Sequence, residues 1–91
     1  MLYVIIGRDG PDAKDRRPKT RNAHLEHLAT YDRQGRVRLA GPLTDGHGSL
    51  IVVDAESESE VRAFADADPY AKAGVFESVE IHPFKQVLPR D

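Results

Sequence analysis

The hydrophobic and polar positions of the chain fall into six segments with two different periods. Four short segments are apolar throughout or alternate between apolar and polar residues, as β-strands do. Two longer segments repeat apolar residues every three to four positions, as helices do. In chain order the pattern predicts a strand over 2–8, a helix over 18–34, a strand over 36–41, a strand over 49–54, a helix over 57–68 and a strand over 75–82.

This order of elements predicts an α+β fold of the ferredoxin-like type. In the βαββαβ arrangement four antiparallel strands form one sheet, and two helices cover one of its faces. A length of 91 residues corresponds to one domain, and the sequence contains no internal repeat and no low-complexity tract. We therefore expect a single domain over residues 1–91.

Local signals define the predicted ends of the first helix. Pro18 suits the first position of a helix, where its missing N–H is not needed, and Gly35 is a natural stop. The preceding segment, 9–18, begins with turn-forming Asp, Gly and Pro residues and continues with several basic side chains. We predict a loop there and interpret it as a mobile lid that tunes the entry of an anionic ligand.

The second helix has a start signal and an early stop. Ser57 and Glu60 have the spacing of a capping box, in which the serine accepts from the backbone of the third helical residue. Asp68 precedes a proline, and residues before proline avoid helical backbone angles. We therefore expect the helix to break at this point and a further turn, residues 69–73, to end at Gly74.

The strands over 2–8 and 49–54 carry apolar residues on both faces. Two helices cover only one face of the sheet, so a single copy would expose an apolar patch that monomeric proteins rarely show. A second copy packed sheet to sheet would bury this patch by two-fold symmetry. We therefore predict a homodimer of the dimeric α/β-barrel type.

Composition and charge limit the partners that we expect. With 40% hydrophobic and 31% charged residues and a net charge of −2, the chain has no general attraction to nucleic acid or to an anionic membrane. The absence of cysteine excludes disulfides and thiolate catalysis and fits a reducing cytoplasm, where we expect the protein. The apolar start is too short to span a bilayer and has no basic residues before it, so we predict a strand and not a signal peptide.

The sequence also contains no recognisable metal or cofactor motif. His24 and His27 are three residues apart, whereas the zinc motif HExxH needs four, and the residue directly after His24 is Leu25 and not the glutamate of the motif. The segment over 46–48 is glycine-rich but lacks the length and the lysine of a phosphate-binding loop. We therefore expect neither a metal nor a cofactor.

One histidine and one carboxylate form a candidate catalytic pair. His24 lies beside an apolar stripe of Leu25 and Leu28 on the first helix, so it is expected to face the sheet, and an imidazole can accept and release a proton near neutral pH. Asp68 could orient such a ring. Each residue also has a purely structural interpretation, His24 as a half-buried histidine bonded to a backbone carbonyl and Asp68 as the cap of a helical turn before proline.

Three further side chains are candidates for binding a substrate. Arg21 lies one helical turn before His24 and could hold a carboxylate or phenolate, or could be a solvated surface charge. Ser49 and Tyr70 could donate a hydroxyl hydrogen bond to an oxyanion, or could simply lie at a strand edge and on the surface.

Several short motifs together resemble the YCII-related (YciI-like) family of the dimeric α/β-barrel superfamily. The resemblance extends over essentially the whole chain, and the motifs are specific only as a set. They are Leu2-Tyr3-Val4-Ile5, Arg21-x-x-His24-Leu25, Gly41-Pro42, Gly48-Ser49, Ala67-Asp68-Pro69-Tyr70 with Gly74, and Pro83-Phe84.

The resemblance implies a ferredoxin-like dimer with a cleft between the sheet and the first helix. It also implies an active centre made of a histidine and an aspartate, which correspond here to His24 and Asp68. Gly41 and Pro42 would shape the rim of that cleft through their backbone preferences. One branch of the family resembles a dehydrochlorinase acting on chlorinated hydroxyquinols, and the superfamily includes muconolactone isomerases.

Two main hypotheses about function follow, together with a weaker third. In the first, the protein is a cofactor-free lyase, isomerase or dehydrochlorinase in which His24 moves a proton, Asp68 orients it, and Arg21 or Ser49 steadies an anion. In the second, the same cleft belongs to a non-catalytic module that binds a small ligand or a partner. The third is an accessory subunit of a larger assembly.

Overall fold

The computed structural model describes residues 1–90, which form one four-stranded sheet and three helices. The strands are antiparallel in the spatial order β2-β3-β1-β4, which confirms the predicted ferredoxin-like arrangement. The elements are β1 Leu2–Asp9, α1 Ala13–Asp32, β2 Val37–Pro42, β3 Gly48–Asp54, α2 Glu58–Asp66, α3 Pro69–Lys72 and β4 Phe76–Phe84.

The hydrophobic core lies between the sheet and the helices α1 and α2. Ile5 in the central strand β1 is opposite Ile51 on one side and Ile81 on the other, so one apolar row crosses three strands on the inner face. Burying aliphatic side chains of this kind is the main favourable term in folding. The core cluster consists of Tyr3, Ile5, Leu28, Tyr31, Ile51, Val53, Ala55, Val61, Phe64, Ala65 and Ile81.

The opposite face of the sheet is also apolar, as the strand pattern indicated. Val4 pairs with Val52 and Ile6 with Leu50, and these side chains lie on the face turned away from the helices. Leu39 of β2 pairs with Val52 on the same face and is 54% exposed. The described chain therefore has an apolar surface where the sequence predicted a second copy, although the homodimer itself stays a prediction.

The first helix begins five residues earlier than predicted. α1 starts at Ala13 and contains Pro18 in its interior, so the proposed loop over residues 9–18, and with it the lid, is wrong. Proline removes one hydrogen bond from a helix, but tertiary contacts hold the first turns in place. Ala13 is buried, Arg16 donates to the Ala73 carbonyl oxygen at 3.0 Å, and Arg17 pairs with Asp9.

The buried stripe of α1 is also rotated relative to the prediction. His24, Leu28 and Tyr31 are buried at positions i, i+4 and i+7, whereas Leu25 is 42% exposed. Ala13, eleven residues or about three turns before His24, is buried on the same side of the helix, whereas no residue between them is buried. His24 therefore lies on the inner face itself and not beside it.

The second helix begins as the sequence predicted, with a modified capping box. The Ser57 hydroxyl oxygen accepts from the Glu60 backbone N–H at 3.1 Å. The Glu60 carboxylate accepts from the backbone N–H of Glu56, one residue before the usual position, and pairs with Arg36. Arg36 in turn lies 4.0 Å from the Tyr31 ring centroid, so the cap also joins α2 to the end of α1.

We expect the Glu60 carboxylate to contribute to stability only above mildly acidic pH. Its backbone hydrogen bond to Glu56, with the contacts from Arg36 adding to it, holds the pKa of Glu60 below its ordinary value of 4.5. A carboxyl whose pKa is lowered by folding stabilises the protein above its unfolded pKa, and this contribution is lost as the pH falls through the folded value. Glu60→Gln should therefore unfold more readily than wild type at pH 6, and the difference should shrink as the pH falls below 4.5, the ordinary pKa of a glutamate. Urea unfolding over this pH range tests this, with Glu58→Gln in the same helical turn as the control.

Only glycine fits at position 48, at the start of β3. Its φ is 155°, and a Cβ atom there would overlap the carbonyl oxygen of Gly7 in the adjacent strand. Gly48→Ala should lower the free energy of unfolding by at least about 2 kcal/mol, because it combines backbone strain with a steric clash. Gly41→Ala is the control, since its Cβ would meet no atom of residues 1–90 within 4 Å, and we expect a change within about 0.5 kcal/mol in chemical denaturation. Equal unfolding midpoints for the two variants would contradict this account.

No helix among residues 1–90 is both long enough and apolar enough to cross a membrane. α1 has the length for it, with 20 residues, but charged side chains recur along it from Lys14 to Asp32. The cytoplasmic location expected from the sequence stays a prediction.

Candidate active site

A cleft of about 240 Å³ opens between α1 and the sheet, beside the start of α3. Its size suits a single substituted ring, since a cavity of roughly 150 Å³ is enough to hold benzene. Six of the seven site residues predicted from the sequence line this cleft: Arg21, His24, Gly41, Pro42, Ser49 and Tyr70. The seventh, Asp68, lies behind His24.

His24 and Asp68 are in direct contact, a point that the sequence left open. The His24 Nδ1 atom lies 2.7 Å from Oδ1 and 3.0 Å from Oδ2 of Asp68, and the two residues are only 6% and 3% exposed. An ionised carboxylate can only accept hydrogen bonds, so this network assigns the proton of the neutral ring to Nδ1. The Nε2 atom is then the nitrogen with a free lone pair.

Asp68 also caps the short helix α3. Its Oδ1 atom accepts from the Tyr70 backbone N–H at 2.9 Å, and Pro69 occupies the first helical position. The capping role and the contact with His24 therefore coexist in one side chain. The cap matters for the site, because it fixes the carboxylate independently of the imidazole ring.

Tyr70 forms part of the site wall and is not a surface residue. Its ring stacks on the His24 ring with centroids 3.8 Å apart and an interplanar angle of 4°, and it meets Phe76 edge-on at 5.6 Å. Tyr70 is 3% exposed. Asp68 and Tyr70 thus restrain the imidazole from its edge and from its face.

Arg17 is a site residue that sequence reasoning missed. Its Nε and Nη2 atoms donate to the two carboxylate oxygens of Asp9 at 2.8 and 2.9 Å, and Nη2 also donates to the Ser49 hydroxyl oxygen at 2.9 Å. The guanidinium carbon lies 5.0 Å from the Tyr70 ring centroid. The sequence did not indicate this position, because only a helix that begins at Ala13 places Arg17 seven residues, or two turns, before His24 on the same face.

The pKa of Arg17 is raised above its ordinary value, chiefly by the hydrogen bond to Asp9. Burial opposes this shift, and the nearby Tyr70 hydroxyl adds to it. Arg17 is therefore a permanent cation whose orientation is fixed by Asp9.

Arg21 lies at the rim of the same cleft but is exposed. Among residues 1–90 it makes no hydrogen bond through its side chain and no ion pair, in contrast to Arg17. Gly41 and Pro42 belong to the exposed end of β2 and form the opposite rim. Ser49, by contrast, is 3% exposed and lies inside.

His27 adopts the structural role that was considered for His24. Its Nε2 atom lies 2.7 Å from the Phe64 carbonyl oxygen, and its ring stacks on the Phe64 ring at 4.5 Å. It joins α1 to α2 and is not among the residues that line the cleft. Of the two histidines of α1, His27 therefore packs against α2 and His24 belongs to the candidate site.

A wider groove of about 770 Å³ adjoins the cleft. The two share Arg17 and Pro42 in their walls, and the groove also contains Lys14 and His47. Two basic residues of the predicted lid, Lys14 and Arg17, thus lie on the first turns of α1 and line this groove.

The fold and the site together define a class: a small α+β protein with a ferredoxin-like sheet and a buried histidine–aspartate pair at a ring-sized cleft. The family model of the YCII-related domain matches residues 1–85. The chain belongs to that family.

Two relatives and one solved structure illustrate the breadth of the similarity. Protein YciI of Escherichia coli O6:H1 is 40% identical over 98 aligned positions, covering 97% of this chain and 100% of that protein. The derivative of benzaldehyde biosynthesis cluster protein C of Emericella nidulans is 37% identical, covering 81% of this chain and 89% of that protein. The 5-chloro-2-hydroxyhydroquinone dehydrochlorinase TftG of Burkholderia phenoliruptrix AC1100, in complex with 2,5-dihydroxybenzoquinone, has a TM-score of 0.86 at 29% identity, with 100% of both chains covered.

Proposed function

We propose that the protein is a cofactor-free enzyme of the lyase or isomerase type, with His24 as the general base. The observation that carries this proposal is the buried contact between His24 Nδ1 and the Asp68 carboxylate at the wall of a cleft. A general base needs a lone pair within reach of the substrate and a fixed orientation. Nε2 of His24 supplies the lone pair, and Asp68 and Tyr70 supply the orientation.

The role of Asp68 follows from the charge that develops during proton transfer. When Nε2 accepts a proton the ring becomes a cation, and the adjacent carboxylate stabilises that cation while Nδ1 keeps its own proton. The buried Ser49 hydroxyl then steadies the negative charge left on the substrate, while Gly41 and Pro42 bound the opening through which it enters, beside the exposed Arg21.

The proposed substrate class is a small oxygenated ring, of which a chlorinated hydroxyquinol is the example to test first. The similarity to TftG supports this choice, and the size of the cleft agrees with it. In a dehydrochlorination the ring first shifts to a keto tautomer, in which the carbon that bears chlorine also carries a hydrogen that came from a hydroxyl group. His24 then accepts a proton from a second hydroxyl group, the O–H electron pair forms a carbonyl as the ring double bond shifts, and chloride leaves with the electron pair of the C–Cl bond. The net change is loss of HCl, which balances without an oxidant or a reductant.

The direct experiment is to incubate the protein with 5-chloro-2-hydroxyhydroquinone and to measure chloride release and the ultraviolet spectrum of the product. We expect release that is proportional to protein concentration and faster than in buffer. Denatured protein serves as the control. Binding of 2,5-dihydroxybenzoquinone without any turnover of the chlorinated compound would contradict dehydrochlorination.

A non-catalytic ligand-binding module is the alternative, and one observation favours it. Among residues 1–90, those that line the cleft include no carboxylate, so this wall offers no obvious general acid beside His24. On this alternative, His24→Ala weakens the binding of ring compounds, but no bound compound is ever transformed. Nuclear magnetic resonance of ligand mixtures before and after incubation distinguishes the two.

We also propose that two copies associate through the open face of the sheet. The support is the apolar surface formed by the outward side chains of β1 and β3, together with the exposed Leu39 and Phe84. Light scattering at micromolar concentration should give twice the chain mass of 10.1 kDa. A mass of one chain at that concentration would contradict the dimer.

A further inference from the structure

We propose that Arg17 and Ser49 together form the anion-binding part of the site and select ring ligands that carry an ionised oxygen. This inference rests on the proposed function only because both use the same cleft, and it does not require His24 to act as a base. It assigns the anion to a pair of residues on α1 and β3 and not to the exposed Arg21.

The hydrogen bonds of Arg17 determine which of its donors remain for a ligand. Nε and Nη2 donate to Asp9 and Ser49, and Nη1 takes part in none of these three bonds. The Arg17 side chain is 23% exposed and lines the cleft. Nη1, with the Tyr70 hydroxyl near the same guanidinium, is therefore the nitrogen that we assign to an oxygen entering from the cleft.

Ser49 contributes a second donor. Its hydroxyl oxygen accepts from Arg17, which leaves its own hydrogen to be donated. Ser49 is buried and also lines the cleft. Two donors on neighbouring atoms form the arrangement that stabilises a phenolate or enolate oxygen better than a neutral hydroxyl.

The position of the pair relative to His24 supports the same assignment. The Arg17 guanidinium lies 5.0 Å from the centre of the Tyr70 ring, and that ring stacks on His24 at 3.8 Å. A planar ligand in this small cleft would thus have one oxygen at Arg17 and Ser49 and its ring atoms near the imidazole. Asp9 neutralises much of the Arg17 charge, so selection depends on directed hydrogen bonds more than on net charge.

The test uses 4-nitrocatechol, a planar ring whose ionised form is coloured. Because hydrogen bonds to the charged form lower a pKa, the bound compound should ionise at a pH about one unit or more below that of the free compound. Absorbance titration of the complex measures this shift. Arg17→Gln should abolish it, Arg17→Lys should lose most of it because the fork geometry is gone, and Ser49→Ala should reduce it.

Two matched variants make the outcome decisive. Lys19→Gln removes one positive charge from α1 outside the cleft, and Arg21→Gln removes the rival cation at its rim; both should keep the shift. The proposal is overturned if wild type shows no shift, if Arg17→Gln and Arg17→Lys both keep it, or if Arg21→Gln abolishes it. His24→Gln should also keep the shift, so a failure of the general-base proposal is distinguishable from a failure of this one.

Discussion

Replacing His24 by glutamine is expected to slow the release of chloride from 5-chloro-2-hydroxyhydroquinone by about 10²–10⁴-fold. Glutamine fills much of the same space and can hydrogen-bond to Asp68, but it has no lone pair that accepts a proton near neutral pH. The cleft and its donors remain, so binding of 2,5-dihydroxybenzoquinone should change far less than the rate. Steady-state kinetics and a binding titration on the same preparation measure both quantities.

His27→Gln is the matched control for this prediction. His27 lies on the same helix, three residues further on, and bonds to the Phe64 carbonyl oxygen outside the cleft. Its replacement should lower stability and leave the rate per folded molecule close to that of wild type. An unchanged rate in the His24 variant would remove the general-base mechanism.

Replacing Asp68 by asparagine is expected to reduce the rate to a level near that of the His24 variant. With its oxygen kept at the capping Oδ1 position, an asparagine amide places its N–H₂ group at the Oδ2 position, 3.0 Å from Nδ1, where it opposes a proton on that nitrogen. The ring proton then shifts toward Nε2, and the negative charge that stabilises the imidazolium is lost as well. Asparagine remains a good N-cap, so the oxygen that accepts from the Tyr70 backbone N–H is retained and α3 should still form. The same kinetic assay measures the rate, and circular dichroism checks the fold.

The double variant separates a catalytic pair from two independent residues. Groups that act as one unit are non-additive, so His24→Gln combined with Asp68→Asn should be about as slow as either single variant. If Asp68 only caps α3, the Asp68→Asn protein keeps wild-type turnover, since both residue types cap equally well. Multiplication of the two single effects in the double variant would indicate separate roles.

Much of the fold was predictable because its signals are local. Alternating and continuous apolar runs indicated the four strands, and the Ser57 cap and the Asp68–Pro69 break located the second helix and the short third one. The start of the first helix was not predictable from Pro18. Pro18 removes one hydrogen bond from the helix, and two tertiary contacts offset this cost. Arg17 pairs with Asp9 at the end of the preceding strand, and Arg16 donates to the carbonyl oxygen of Ala73, far away in the sequence.

The candidate site, like the fold, was predictable only in part. His24 and Asp68 could be named from residue type and helix position, and so could Ser49 and Tyr70 as polar groups near the same elements. Whether they meet could not be predicted, because 44 residues separate His24 from Asp68 and only the packing of α3 against α1 brings them together. Arg17 was missed because its place in the site depends on the true start of α1.

By itself, the sequence determined the order of strands and helices, the apolar character of both sheet faces and the residue types available for chemistry. These properties follow from side-chain periodicity and from local backbone preferences, which act over a few residues. Only the tertiary structure decided that His24 and Asp68 touch, that Tyr70 stacks on the imidazole, and that Arg17 and Ser49 share a hydrogen bond in the cleft. Such contacts join residues far apart in the chain, and their geometry is set by how α1 and α3 pack on the sheet.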